Sequence, residues 1–213
     1  MINLAVWSGP RNISTALMYS FGNRDDFEII DEPFYANYLI ETGLDHPMRE
    51  EIILSQPESI KSVVDSLTKD RSIIGKNLYQ KHMTHHMVFS VPRGWLNQVK
   101  HVFLLRHPAR VISSFAKKYN KISEQDIGYK KQVELFLEIK KRGLDPIVVN
   151  SEDIRKKPEE TLTKLCNRVN LDFQKYMLSW PKGGHRKDGV WASHWYGSAH
   201  KSTGFSGPED NLP

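Results

Sequence analysis

The sequence lacks several features that mark special classes of protein. Its 213 residues include one cysteine, Cys166, so an internal disulfide is excluded, as is typical of a reducing compartment. No apolar run approaches the ~20 residues of a membrane span. The N-terminus lacks the basic, hydrophobic and small-residue order of a signal peptide. We therefore expect a cytoplasmic protein without a membrane partner, in which Cys166 is a core residue.

The composition is that of a globular protein with a basic balance. Hydrophobic residues make up 39% and charged residues 26% of the chain, and the net charge is +5. A positive balance favours an anionic ligand. The basic residues are dispersed and no familiar nucleic-acid motif is present, so we do not expect a nucleic-acid partner. Without repeats or linkers, residues 1–213 are predicted to form one domain, with a C-terminal lid or tail from about 181 to 213.

Strand and helix patterns alternate along the chain. The segments predicted as strands are 4–7, 27–30, 71–78, 100–105 and 146–150. The main predicted helices begin near 14, 58, 108, 124 and 158, and the one from 124 to 142 is read as continuous. This alternation is typical of βαβ units. It predicts a three-layer α/β/α fold with a mostly parallel central sheet.

The first strand leads into a turn that has the residues of an anion site. The turn contains Gly9, Pro10, Arg11 and Asn12, and the next helix opens near Ser14 and Thr15. A helix N-terminus offers unpaired N–H groups and partial positive charge, and an arginine adds a bidentate donor. Ordinary N-capping by a hydroxyl is the alternative interpretation. The pattern is not a Walker A loop.

Three histidines, His82, His85 and His86, follow Lys81 within a short stretch. His82 and His86 have the i, i+4 spacing of two metal ligands on a helix, but the HExxH pattern and a cysteine cluster are missing. The other interpretations are a general base beside an anion site, because imidazole titrates near neutral pH, and partly exposed structural histidines. These two rank equally and above the metal site.

Further candidates follow the second and fourth predicted strands. Arg106 lies where the strand at 100–105 ends, and Ser114 lies two turns along the helix that begins at Pro108. Open α/β sheets bind ligands at such strand ends. A surface salt bridge and a solvated helix position are the alternatives. Glu32, just after the second strand, either orients a substrate or caps the next helix.

The last 40 residues change in character. A basic loop containing Arg186 and Lys187 precedes Trp191, Trp195 and Tyr196. We expect these aromatic residues to pack on the core. The basic loop is either a solvated turn or a lid that closes over a phosphate with Arg186, Lys187 or Lys201.

Taken together, four segments resemble the P-loop-like sulfotransferases, which use 3′-phosphoadenosine-5′-phosphosulfate (PAPS). The segment from Pro10 to Thr15 is similar to their 5′-phosphosulfate loop, commonly Pro-Lys-x-Gly-Thr-Thr, and Lys81-His82 to their Lys-x-His strand end. Arg106 through Ser114 resembles their 3′-phosphate segment. Ser151-Glu152-Asp153-Ile154 with Pro158-Glu159 resembles a later Tyr-Glu-Asp-Leu and Pro-Glu-Thr stretch. The tail looks like a less characterised bacterial and plant branch.

The resemblance implies a P-loop NTPase-like fold and a role for each matching residue. It implies that Arg11 stabilises the negative charge on the leaving group and that His82 is the preferred base. His85 and His86 are the alternative bases and, together with Glu32, are expected near the substrate. The residues it assigns to PAPS are Arg11, Asn12, Ser14, Thr15, Arg106, Ser114 and Lys201. It implies a hydroxyl or amine acceptor on a small molecule and no metal.

Two departures from the family pattern keep other functions open. Arg11 replaces the usual loop lysine, and Ile13 stands where glycine is usual. Arginine keeps its charge, so it suits binding better than proton donation. The alternatives are a small-molecule kinase using ATP and Mg²⁺, with Asp31 near the metal, and a non-catalytic nucleotide-binding protein of the same fold.

Overall fold

The computed structural model describes residues 1–57, 59–72, 74–116, 122–209 and 211–212. Its strands are β1 (Asn3–Ser8), β2 (Phe27–Asp31), β3 (Asn77–Met83), β4 (Lys100–Leu105) and β5 (Ile147–Asn150). The helices are α1 (Ser14–Gly22), α2 (Tyr35–Thr42), α3 (Arg49–Ser55), α4 (Ile60–Thr68), α5 (Pro108–Ala116), α6 (Glu124–Ile127), α7 (Tyr129–Lys141), α8 (Ser151–Lys156), α9 (Pro158–Arg168), α10 (Ala192–Trp195) and α11 (Gly197–Lys201). Short 3₁₀ turns lie at Thr84–His86, Gly94–Gln98 and Lys175–Leu178.

The five strands form one parallel sheet in the order β2-β3-β1-β4-β5. Strand β1 is central and pairs with β3 on one side and β4 on the other. The chain leaves β1 in one direction toward β2 and β3 and crosses to the other side for β4 and β5. Because all carboxyl ends meet at one edge, the switch point beside β1 is where an α/β sheet binds ligands. The predicted α/β fold is confirmed.

Apolar clusters cover both faces of the sheet. One contains residues of α1 and α9, among them Leu17, Phe21 and Cys166, and extends over the C-terminal aromatic residues. The other contains residues of α4 and α7, such as Leu67 and Ile139. Each such buried side chain contributes about 1.5–3 kcal/mol. Within the described part of the chain, no helix is long and apolar enough to cross a membrane.

Two sequence predictions about element boundaries were wrong. The strand predicted at 71–78 begins only at Asn77 and runs to Met83, and Ile73 lies outside the described residues. Strand β3 is buried throughout although it contains Gln80, Lys81 and His82, so it lacks the apolar run that a buried strand usually shows. The helix predicted from 124 to 142 is two helices, separated at Gly128 with φ +72°.

Candidate functional site

A cavity of about 700 Å³ opens at the carboxyl edge of the sheet. Its walls come from residues 10–16 after β1, Glu32 after β2, the end of β3, Arg106 after β4, and parts of the C-terminal segment from Trp195 to Glu209. The predicted phosphate residues Arg11, Asn12, Ser14, Thr15, Arg106 and Ser114 all line this cavity. The fold thus gathers them from two separate segments of the sequence, 11–15 and 106–114.

The loop after β1 has an unusual backbone. Arg11 and Ile13 have φ values of +63° and +56°, in the left-handed region that favours glycine and is rare for a β-branched residue. The Asn12 side-chain amide donates to the carbonyl oxygens of Gly9 and Pro10, both at 2.9 Å, and braces the loop. Such strain persists where the surroundings enforce it, commonly at ligand sites.

Helix α1 begins directly after this loop without a side-chain cap. Its N-cap residue is Ile13, whose side chain makes no capping hydrogen bond. Ser14 and Thr15 are therefore not capping residues here, and both line the cavity. An uncapped helix start that faces a cavity has N–H groups and dipole charge available to an anion.

Three predicted phosphate residues contact one another. Arg11 Nε donates to Ser114 Oγ at 2.9 Å, and an Arg106 guanidinium nitrogen donates to the Arg11 carbonyl oxygen at 2.7 Å. These bonds join the β1 loop, the end of β4 and helix α5. The donors expected at the 5′-phosphate and 3′-phosphate are thus parts of one wall.

Two further arginines and one glutamate, which no sequence pattern indicates, lie at or beside this wall. The Arg106 guanidinium forms an ion pair with Glu209, and nitrogens of Arg155 and Arg110 lie 3.4 and 3.6 Å from the Glu209 carboxylate. Only a lid contact was expected from the C-terminal segment. The partners are far apart in sequence, so no local pattern indicates them.

A buried ionic network that includes Lys81 forms the floor of the cavity. The Lys81 Nζ lies 3.0 Å from Asp31 Oδ1 and 2.6 Å from the Tyr196 hydroxyl, and it also contacts the Glu32 carboxylate. Tyr196 also lies within 3.1 Å of both carboxylates and accepts a hydrogen bond from Trp191 Nε1. The Lys81 side chain is 1% exposed. Neither the role of Lys81 nor that of Tyr196 is indicated by a sequence pattern.

Burial and the excess of carboxylates shift the pKa values in this network. Burial raises the pKa of Asp31 to about 6, Lys81 lowers it, and Glu32 raises it. Burial disfavours charged Lys81, but Asp31 and Glu32 outweigh burial and raise the pKa of Lys81. The lysine therefore stays charged, and the buried Asp31 carboxyl, with its raised pKa, holds a proton more readily than an isolated aspartate does.

His85 and His86 lie on the cavity wall near this network. The His86 ring stacks between Tyr35 and Tyr38, with ring centroids 4.5 and 4.8 Å away, and its Nδ1 is 3.9 Å from a Glu32 carboxylate oxygen. Burial lowers the pKa of His85 to about 4 and that of His86 well below its usual value. Both rings are therefore neutral at pH 7 and able to accept a proton.

His82, the preferred base in the sequence analysis, lies elsewhere. Its ring stacks on Trp7 at a centroid distance of 4.4 Å, and its Nε2 is 3.0 Å from Gln80 Oε1. It is 2% exposed, does not line the cavity, and has a pKa lowered by burial. Because successive strand residues point to opposite faces, Lys81 and His82 cannot both face the cavity. Its i, i+4 relation to His86 is not helical, since His82 is in β3.

The remaining candidates are divided between core and surface. Trp191 and Tyr196 pack into the main apolar cluster, as predicted. Lys201 is exposed at the end of α11 and does not line the cavity, and neither do Arg186 and Lys187. Over the residues described, no group of three or more His, Cys, Asp or Glu side chains is arranged to hold a metal ion.

Two curated relatives from Arabidopsis thaliana match most of this chain. "Branched-chain-amino-acid aminotransferase-like protein 2" is 36% identical over 205 residues, and "Branched-chain-amino-acid aminotransferase-like protein 1" is 37% identical over 203 residues. Each match covers 95% of this chain but 36% of the relative. The chain thus spans about a third of these longer proteins.

Solved structures share the fold. The sulfotransferase domain from the curacin biosynthetic pathway has a TM-score of 0.63 at 20% identity, covering 94% of this chain and 87% of that domain. The sulfotransferase domain of the Synechococcus PCC 7002 olefin synthase has a TM-score of 0.58 at 20% identity, covering 95% and 84%. The model of the family described as "Sulfotransferase domain" matches residues 2–213. The chain therefore belongs to the sulfotransferase domain family.

Proposed function

We propose that this protein transfers a sulfuryl group from PAPS to a hydroxyl or amine of a small-molecule acceptor. One observation carries the proposal. A single cavity has an uncapped helix start and arginines along one wall, and a carboxylate with neutral imidazoles along another. The first wall suits an anionic donor, and the second supplies groups that can take a proton from an acceptor. Membership of the sulfotransferase domain family supports this reading.

The donor would lie along the β1 loop and the start of α5. Ser14, Thr15 and the N–H groups at the start of α1 would hold the 5′-phosphate, with Asn12 bracing the loop. Arg11 would stabilise charge on the leaving oxygen. Arg106 and Ser114 would bind the 3′-phosphate. Lys201 has no part in this proposal because its side chain is exposed outside the cavity.

In the proposed reaction the acceptor oxygen or nitrogen forms a bond to sulfur as the bond from sulfur to the phosphate oxygen breaks. The acceptor proton passes to a base, and 3′-phosphoadenosine 5′-phosphate leaves with the negative charge of the broken bond. The catalytic requirements are alignment, cationic stabilisation of the leaving oxygen, and a base. No step requires a metal ion.

We assign the base to His86, assisted by Glu32, and not to His82. His86 lines the cavity, and burial keeps its imidazole neutral before reaction. The Glu32 carboxylate, 3.9 Å from His86 Nδ1, would stabilise the imidazolium that forms. Lys81 would hold Glu32 in place through their ion pair. His85 lines the same wall and is the alternative base.

The first test is thermal unfolding with 3′-phosphoadenosine 5′-phosphate, compared with AMP, ADP and ATP, each with and without Mg²⁺. A ligand at 100 times its Kd adds about 2.7 kcal/mol, and each kcal/mol raises the midpoint by roughly 2–4 °C. We expect a metal-independent shift of several degrees that requires the 3′-phosphate. A shift only with ATP and Mg²⁺ would support a kinase, and no shift with any of these nucleotides would refute the proposed donor site.

The second test removes the expected 3′-phosphate ligand. Arg106→Ala should weaken binding of 3′-phosphoadenosine 5′-phosphate by about 1.5–3 kcal/mol, the usual value of a charge-assisted hydrogen bond, and leave AMP binding unchanged. Arg186→Ala, at an exposed position outside the cavity, is the control. Calorimetric titration measures both. Equal affinity of Arg106→Ala and the unchanged protein for the bisphosphate would refute this assignment.

A further inference from the structure

Three arginines from different elements converge on one carboxylate of the C-terminal segment. Arg106 follows β4, Arg110 lies in the first turn of α5, and Arg155 lies in α8. All three approach the side chain of Glu209: Arg106 in an ion pair, Arg155 at 3.4 Å and Arg110 at 3.6 Å. Arg106, Arg155 and Glu209 line the cavity. An acidic side chain of the protein therefore sits on the most basic part of the cavity wall.

The charges around this cluster match a ligand with two negative charges. Besides Glu209, the carboxylate of Glu152 contacts Arg110, 3.1 Å from its Nε. Among the side chains that the structure describes, three arginines thus face two carboxylates. Without Glu209 the cluster would carry an excess of two positive charges, close to the charge of about −1.5 to −2 that a phosphate monoester has at pH 7.

The carboxylate is an incomplete partner for these arginines. Arg106 Nε and Glu209 Oε2 are buried atoms without a hydrogen-bond partner among the described residues. The Arg106 side chain is 9% exposed, so its unused N–H is hidden from solvent, which costs free energy. A phosphate group offers three acceptor oxygens instead of two and can satisfy more of the donors.

The segment that carries Glu209 is attached in a way that permits release. Phe205 packs edge-on against Trp180 at a centroid distance of 5.0 Å and fixes the chain at that point. Beyond it, Arg155 Nε donates to the Gly207 carbonyl oxygen at 3.0 Å, and the Glu209 ion pairs follow. These polar contacts involve the same arginines, so a ligand that engages the arginines competes with these contacts of the segment.

We propose that Arg106, Arg110 and Arg155 form a phosphomonoester site and that Glu209 occupies this site in the absence of nucleotide. The identification of this phosphomonoester as the 3′-phosphate of the donor rests on the proposed function. Because the nucleotide binds only molecules whose site is vacant, its apparent affinity is its intrinsic affinity multiplied by the fraction of such molecules. A nucleotide without a 3′-phosphate does not compete with Glu209, so the segment also acts as a selectivity filter.

The test compares Glu209→Gln, which keeps the size of the side chain and removes its charge, with the unchanged protein. The control is Glu134→Gln, an exposed glutamate that pairs with Lys131 on α7. We expect Glu209→Gln to tighten calorimetric binding of 3′-phosphoadenosine 5′-phosphate about tenfold, which corresponds to a site vacant in about a tenth of molecules. AMP binding and the control should be unchanged. Unchanged or weaker bisphosphate binding by Glu209→Gln would overturn the proposal.

Two further measurements separate displacement from a purely structural role. Hydrogen exchange should show faster exchange at residues 206–209 when the bisphosphate binds, and greater protection there would contradict displacement. Arg155→Ala in the Glu209→Gln background should weaken bisphosphate binding and leave AMP binding unchanged. Equal bisphosphate affinity with and without Arg155 would remove this residue from the site.

Inorganic sulfate distinguishes failure of this inference from failure of the proposed donor. The probe is the thermal shift with sulfate for Glu209→Gln and the unchanged protein. A larger sulfate shift in Glu209→Gln, with no binding of the bisphosphate by either protein, would keep the anion site and reject PAPS as donor. Equal sulfate shifts together with equal bisphosphate affinities would reject the competition by Glu209.

Discussion

Lys81 and His82 are neighbours in β3, but their side chains are in opposite environments. Lys81 joins Asp31, Glu32 and Tyr196 in a charged network at the cavity floor. His82 is packed in a neutral cluster, stacked on Trp7 and bonded to Gln80. Both are almost fully buried, so burial does not distinguish them. Which face of the sheet a strand residue takes, and not its chemical type, decides whether it can reach a ligand.

The largest expected effect follows from removing the cation on the cavity side. Lys81→Met leaves the carboxylates of Asp31 and Glu32 buried without their counter-ion, and should lower the free energy of unfolding by about 3–5 kcal/mol. Urea unfolding at pH 7 measures this loss. Lys61→Met, which removes an exposed ion pair with Asp65, should barely change stability. Similar losses in the two variants would mean that the buried network is not a stabilising unit.

The next largest effect is the difference in turnover between a variant of His86, which lines the cavity, and a variant of His82, which does not. With an acceptor found by screening, His86→Asn should lower turnover by about 10²–10⁴-fold, the usual contribution of a general base. His82→Phe, which keeps an aromatic ring on Trp7, should retain turnover per folded molecule. Release of 3′-phosphoadenosine 5′-phosphate measures both. If His82→Phe were inactive although folded and His86→Asn active, the roles of the two faces would be reversed.

The third prediction concerns the pH dependence of stability. Because the pKa of Asp31 rises from 3.8 to about 6 on folding, mainly through burial, the folded state binds its proton more readily than the unfolded state. Asp31 therefore costs stability progressively as pH rises between about 4 and 6, by about 3 kcal/mol in all. Asp31→Asn should gain stability relative to the unchanged protein over that interval in urea unfolding. A relative loss over the same interval would indicate an ordinary salt-bridged aspartate with a lowered pKa.

Much of the fold could be predicted because its signals are local. The apolar runs of β1, β2, β4 and β5 and the proline at the start of α5 stand in the sequence itself. Strand β3 was misplaced because its Gln80, Lys81 and His82 find their partners on other strands and helices. Such partners are visible only after the chain has folded.

The residues of the site likewise divide into those that a local sequence pattern indicates and those whose partners are distant in sequence. The loop with Arg11 and the segment from Arg106 to Ser114 are contiguous patterns, and both line the cavity. The sequence could not show which histidine faces the cavity, because three histidines in five residues give no register and the strand continues through His82. Glu209 reaches the arginines over a long sequence separation. The one sequence signal for the buried network was Lys81, a charged residue within strand β3.

The smallest predicted effect compares two buried tyrosines on the cavity side of the sheet. The Tyr196 hydroxyl contacts Lys81 and Asp31 and accepts a hydrogen bond from Trp191, whereas the Tyr79 hydroxyl is buried without a hydrogen-bond partner among the described residues. Tyr196→Phe should therefore lower the free energy of unfolding by about 1–3 kcal/mol, because it leaves polar groups unpaired. Tyr79→Phe removes only an unsatisfied hydroxyl and should be neutral or slightly stabilising. Each variant loses one hydroxyl oxygen, and urea unfolding measures both, so equal losses would show that the Tyr196 hydroxyl contributes no more to stability than the unpaired Tyr79 hydroxyl does.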